Sequence, residues 1–144
     1  MQTARQRVDV HRDAPGMMQR AASSIAVVDD ESRVLESMRD LLESAGYTAH
    51  LFPSPRALLV SGLLQSIDCL ITDIGLPEID GFELCRRTRM ERPDLPVIFV
   101  TARHDMADET RAERARNSGF FRKPFSAAAL LAAVDRALAG RRDV

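Results

Sequence analysis

Five short apolar runs punctuate this chain, and a helical pattern of apolar positions follows each of them. Ile25-Ala26-Val27-Val28, Ile67-Asp68-Cys69-Leu70-Ile71-Thr72 and Val97-Ile98-Phe99-Val100 predict strands, the second of them ending abruptly in the carboxylate of Asp73. Tyr47 to Phe52 and Phe120-Phe121-Arg122 predict two shorter ones. Val34, Leu35, Met38, Leu41, Leu42 and Ala45 recur at helical spacing, with charged residues opposite them and Gly46 as a stop. Pro53-Ser54-Pro55 predicts a stiff turn with Ser54 capping a helix over 56–65. Further helices are predicted over 82–90, over 106–118, and over 127–139 with Ser126 as cap and Gly140 as stop. The segment 106–118 has few large apolar residues, so it reads as a helix held by local pairs and among the most mobile of the fold. Strand and helix alternate about five times, which argues a parallel sheet covered on both faces.

Composition narrows the class without changing the architecture. The 144 residues suffice for one core, and 45% hydrophobic with 28% charged residues is a globular balance. A formal net charge of −1 gives no reason to expect nucleic acid or an anionic membrane as partner. No apolar run reaches the roughly 18 residues of a membrane span. Residues 1–22 read as a disordered leader without a secretory signal, in which Met17 or Met18 competes with Met1 as the start. The globular unit is expected over 23–140, residues 141–144 as a short tail, and the cytoplasm as location. Cys69 and Cys85 match no metal spacing and read as reduced thiols that fill space. Arg86, Arg87, Arg89 and Arg92 read as a solvated helix face, and His50 as a solvent-facing strand residue.

The chemistry-bearing residues fall where strands end. Asp29 and Asp30 follow the first strand, Asp73 the third, Thr101 the fourth and Lys123 the fifth. In a parallel sheet these ends share one edge, so distant residues converge on one pocket. Capping of the next helix by Asp30 or Ser32 is the alternative for the first acids, but it leaves two consecutive carboxylates behind a buried strand unexplained. Three carboxylates form an oxygen-rich site suited to Mg²⁺. Asp73 is the candidate nucleophile toward phosphorus, Lys123 the counter-charge and Thr101 a hydroxyl donor to the transferred group.

Val28-Asp29-Asp30-Glu31, the stretch from Asp73 through Gly75, Pro77 and Asp80 to Gly81, Val100-Thr101-Ala102 and Lys123-Pro124-Phe125 together resemble the receiver domain of two-component response regulators. Leu41-Leu42-Glu43-Ser44-Ala45-Gly46-Tyr47 is similar to receivers of the nitrogen-fixation regulator subfamily. The resemblance, over roughly 24–139, implies a flavodoxin-like three-layer (βα)5 fold with strand order 2-1-3-4-5. It implies Asp73 as phospho-acceptor from a sensor histidine kinase or a histidine phosphotransfer protein. Asp30, Asp73 and the Gly75 carbonyl would be Mg²⁺ ligands, with Asp29 acting through water. Thr101 and Phe120 would be switch residues, and the Lys123–Pro124 bond would be cis. The output would be a rearrangement of the face made by the fourth helix, fifth strand and fifth helix, read by a downstream protein. A homodimer through that face is an arrangement the family uses.

Two departures stand out. Leu76 replaces a common Met, and Ala115-Arg116-Asn117-Ser118-Gly119 replaces an Ala-Gly-Ala-like turn before the last strand. Gly75 cannot shield a phosphoryl group, so an ordinary phosphate lifetime is expected. A dehalogenase-type phosphatase would want a second Asp where Gly75 stands, so the chain reads as a signalling domain with at most weak self-dephosphorylation, not an enzyme. A pseudo-receiver that only binds, and a receiver fragment of a DNA-binding regulator, are the other readings weighed.

Overall fold

The computed structural model describes residues 23–142, so the expected leader and the last two residues lie outside it. In chain order the elements are β1 (Ser24–Val28), α1 (Ser32–Ser44), β2 (Thr48–Phe52), α2 (Pro55–Val60), β3 (Cys69–Asp73), α3 (Gly81–Glu91), β4 (Val97–Thr101), α4 (Met106–Arg114), β5 (Gly119–Arg122) and α5 (Ala127–Arg142). A short 3-10 turn over Leu64–Ser66 interrupts the path from α2 to β3. All four strand pairings are parallel and the order is β2-β1-β3-β4-β5. This is the five-stranded flavodoxin-like arrangement, reversing direction at β1 and β3, where such sheets place their ligands.

Side-chain alternation along the three central strands separates two apolar layers. Ala26, Val28, Leu70, Val97 and Phe99 face Leu58 of α2, Leu84 and Cys85 of α3, and Ala112 of α4. Ile25, Val27, Cys69, Ile71, Ile98 and Val100 face Leu35, Met38 and Leu42 of α1 and Leu130, Val134 and Leu138 of α5. Because both faces are covered, β1, β3 and β4 are apolar almost throughout, which is why they were visible as runs. Among the described residues no helix is long and apolar enough to cross a membrane.

Several boundaries differ from those the sequence predicts, each for a local reason. The helix after Ser54 is capped as predicted, its hydroxyl accepting the Ala57 N–H at 3.1 Å, but it ends at Val60. Gly62 at φ 79° then reverses the chain. α4 stops at Arg114, not 118, because Arg116 takes φ 55° and turns the backbone out of the helix. Gly140 does not stop α5, which runs on to Arg142; a terminating glycine needs positive φ, and Gly140 has none. Tyr47 precedes β2, buried, with its hydroxyl donating to Asp135 of α5. His50 is half-buried on the edge strand β2.

The arginines of α3 divide into two groups. Arg86 and Arg87 pair with Glu83 at 2.6 and 2.8 Å on the exposed face. Arg89 instead donates to the carbonyls of Leu95, Ala115 and Arg116, and Arg92 to those of Leu64 and Ile67. These two are half-buried and tie the loops that precede β3, β4 and β5. Loop carbonyls left without ladder partners accept them, a need no sequence pattern announces.

Candidate functional site

β1, β3 and β4 end level with one another, and that edge carries the site. Asp29 follows β1, with its backbone N–H held by Phe52 at 3.1 Å. Its carboxylate is 1% exposed and uses both oxygens, Oδ1 accepting from the Glu31 N–H at 2.9 Å and Oδ2 from Lys123 Nζ at 2.8 Å. Neither Asp30 nor Ser32 caps α1. The cap position belongs to Glu31, whose side chain accepts no capping bond. Asp30 is exposed, and its carboxylate has no hydrogen bond or ion pair among the described residues.

Asp73 is the last residue of β3, 7% exposed, with Oδ1 accepting from the Gly75 N–H at 3.3 Å. Asp80 caps α3 by accepting the Glu83 N–H at 2.9 Å, and Gly81 N donates to Ile74 O at 2.9 Å. The turn after Asp73 is thus pinned at both ends. Lys123 follows β5; its backbone N–H reaches Thr101 O at 2.7 Å and its peptide bond to Pro124 is cis. Its ammonium lies 3.5 Å from Asp73 and 3.6 Å from Glu31, besides the contact to Asp29.

Thr101 ends β4 fully buried, its Oγ1 accepting the Arg103 N–H at 2.9 Å, which leaves the hydroxyl proton free among the described residues. Phe120 is half-buried on β5, packed against the α2–α3–α4 layer, with the Arg122 guanidinium 5.3 Å from its ring. The geometry therefore brings Asp29, Asp30, Asp73 and Lys123 into one cluster and places Thr101 and Phe120 on the neighbouring strands.

Oxygens from Asp29, Asp30 and Asp73 lie within 4.8 Å of one another. Hard oxygen donors at that spacing, one of them partnerless and open to water, fit a small divalent cation such as Mg²⁺, which keeps several waters. Burial pushes the Asp73 carboxyl up from its ordinary value; Lys123 and the backbone N–H groups offset part of this, while Asp29 adds to it. For Lys123, burial works against the charge, but the hydrogen bond to Asp29 and the charges of Asp29, Asp73 and Glu31 outweigh it and hold the ammonium above the usual lysine range.

A carboxyl whose folded-state pKa is raised costs the fold stability as it ionises. The Asp73 charge therefore costs stability at pH values above the ordinary carboxylate range, about 4. Asp73→Asn is expected to raise the melting temperature of protein in EDTA at pH 7, with the gain vanishing below about pH 4. Thermal melts across that range check it; an unchanged melting temperature at pH 7 would mean that Lys123 fully compensates the carboxylate.

Sequence reading missed a second charged contact beside the site. Asp108 on α4 is 2% exposed and accepts from Arg103 Nε and Nη2 at 3.0 and 2.8 Å. The aliphatic stem of Arg103 runs past Gly75, where a Cβ would meet Arg103 Cδ at 3.6 Å. The two partners are five residues apart across a loop and a helix start, a spacing with no periodic signature.

A family model for the response regulator receiver domain matches residues 25–135. The response regulator protein TodT of Pseudomonas putida is 32% identical over 117 residues, which are 81% of this chain and 52% of that protein. The transcriptional regulatory protein FixJ of Azorhizobium caulinodans is 35% identical over 117 residues, 81% of this chain and 55% of that one. The chain spans about half the length of the curated relatives it matches. A crystal structure of a receiver domain protein from Clostridium thermocellum superposes with a TM-score of 0.78 at 28% identity, covering 83% of this chain and 97% of its own. With the fold, the strand-end carboxylates and these likenesses in agreement, the chain belongs to the family of response regulator receiver domains.

Proposed function

We propose that Asp73 accepts a phosphoryl group from a phosphohistidine of a sensor kinase or phosphotransfer protein. One observation carries this reading: a nearly buried carboxylate at the end of β3 stands between two further acids and a lysine ammonium 3.5 Å away. An Asp73 carboxylate oxygen attacks phosphorus, the P–N bond to the donor imidazole breaks, and the leaving nitrogen keeps the electron pair. The product is an acyl phosphate on Asp73. Asp30, Asp73 and the Gly75 carbonyl, with Asp29 acting through water, would hold Mg²⁺, which would supply positive charge to offset that of the transferred group.

The chain's own residues do the rest. Lys123 already lies beside Asp73 and can turn its ammonium from Asp29 to a phosphoryl oxygen. Thr101 can donate its free hydroxyl proton to another, its Oγ1 releasing the Arg103 N–H as it moves toward the phosphoryl group. Movement of Thr101 vacates space beside Phe120, whose inward turn would change the face of α4, β5 and α5. A downstream protein, or a second copy, reads that face. The chain signals by this change and is not an enzyme in its own right.

A second reading concerns the whole protein. The relatives run to about twice the matched length, and several are called transcriptional regulators. That favours a receiver unit acting on an attached or separate effector; a single-domain regulator is the reading in which the effector is separate. Incubation with acetyl phosphate and Mg²⁺, followed by intact mass spectrometry, tests the chemistry. Wild type is expected to gain one phosphoryl group and Asp73→Asn none. An equal adduct on both proteins would remove Asp73 from its role.

A further inference from the structure

The departure at Ala115-Arg116-Asn117-Ser118-Gly119 has no part in phosphoryl transfer, yet its geometry is specific. Arg116 sits just past the end of α4 at φ 55°, in the left-handed region. Glycine is the usual occupant there, because any β-carbon crowds the next carbonyl oxygen. The backbone role of the position does not ask for arginine. Arg116 N donates to Glu113 O and Arg116 O accepts from Arg89, both of which glycine would do with less strain.

The Arg116 side chain joins a groove of about 560 Å³ between α3 and α4, into which Arg86, Arg89, Arg111 and Arg114 also project. Arg86 is paired with Glu83, Arg111 lies 3.6 Å from Asp80, and Arg89 is spent on carbonyls. Arg114 and Arg116 have neither a hydrogen bond nor an ion pair to their side chains among the described residues. Five guanidiniums line one groove in a chain whose net charge is −1, and two of them, Arg114 and Arg116, carry charge that no acid among the described residues offsets. Beneath the arginines Phe82 and Cys85 are nearly closed off, 8% and 2% exposed, with the Arg111 guanidinium 4.2 Å over the Phe82 ring, and the apolar side chain open to the groove is Met90, 72% exposed.

We propose that this groove binds a nucleotide carrying two or more phosphates. Planar guanidinium forks match phosphate oxygens in bidentate fashion, and Arg114 with Arg116 are the two available to do so. The volume falls within the range of small-ligand sites, and the half-exposed Arg111 guanidinium with the open Met90 side chain offers a surface to a flat base. An acidic peptide would use the same charges but brings no flat base to stack on that guanidinium. The site is separate from Asp73 and does not depend on the phosphoryl-transfer reading.

Calorimetric titration of the full chain with ATP, in EDTA so that the carboxylate cluster recruits no metal–nucleotide complex, is the test. Saturable one-to-one binding is expected at 0.15 M salt, with inorganic triphosphate about tenfold weaker for want of the base. Arg114→Ala and Arg116→Gly should each weaken ATP at least about tenfold. Arg116→Gly relieves the left-handed strain, so its melting temperature should not fall, and its loss of binding cannot be blamed on unfolding. Asp73→Asn should bind ATP as wild type does. The proposal is overturned by no saturable binding, by wild-type affinity in the Arg114→Ala/Arg116→Gly double variant, or by equal affinity for ATP and triphosphate. Loss of binding in Asp73→Asn, or a Glu-rich peptide binding in place of ATP, would overturn it equally.

Discussion

Lys123→Met is expected to destabilise the protein in EDTA by about 3 kcal/mol, the cost of leaving buried charge without its partner. The lysine is the cation between Asp29 and Asp73, which are 1% and 7% exposed. Methionine keeps the apolar stem but leaves two carboxylates facing each other with Asp30 close by. Urea denaturation at pH 7 measures the loss. Two additions make the reading specific. Millimolar Mg²⁺ should restore part of the lost stability by binding only the folded state. Asp29→Asn should also recover stability in the Lys123→Met background while costing stability alone, a coupling that a double-mutant cycle reads directly. A Lys123→Met variant as stable as wild type would show that water or protonation already compensates the acids.

Gly81→Ala should cost about 2–3 kcal/mol and damage the site at the same time. A β-carbon there would overlap the Asp73 carbonyl oxygen and lie 3.0 Å from Ile74 Cα and 3.1 Å from Asp73 C. All three neighbours are backbone atoms of the strand end that presents Asp73, so no flexible side chain can yield. α3 would have to retreat, losing the Gly81 N–H bond to Ile74 O, or β3 would have to shift its last residue. The second response displaces the nucleophile and the first frees the turn that follows it, so labelling by acetyl phosphate should slow by at least about tenfold. Gly140→Ala is the matched control. It lies on α5 with nothing within 4 Å of a new β-carbon, and is expected to gain up to about 0.5 kcal/mol. Equal effects of the two substitutions would contradict the packing described at Gly81.

The difference between what was legible in the sequence and what was not follows from how each feature is encoded. β1, β3 and β4 are buried on both faces, so they appear as apolar runs, and their ends mark Asp29, Asp73 and Thr101 without further help. Strand-end logic also places Lys123 at the same edge, where the structure puts it against Asp29. Contacts that cross loops have no such signature. The Arg103–Asp108 pair, the Tyr47–Asp135 bond and the carbonyls gathered by Arg89 and Arg92 join positions whose spacing carries no period. Helix ends were misjudged where the stop was not the expected residue: Arg116 turns the chain with positive φ, while Gly140 sits inside a helix. Capping of α1 by Asp30 failed because the third acid, Glu31, occupies the cap position and leaves Asp30 to face solvent.

α4 differs from its neighbours in what keeps it in place. It buries only Asp108 and Ala112, and Met106 at its start is 80% exposed. Its remaining ties are charged: Arg103 to Asp108, Arg122 to Glu109, and Arg111 to Asp80. Apolar burial is little weakened by added salt, whereas exposed ion pairs are screened over a Debye length of about 8 Å at physiological ionic strength. Added salt therefore loosens the Arg122–Glu109 and Arg111–Asp80 ties and leaves this helix held by Ala112 and the nearly buried Asp108 with Arg103.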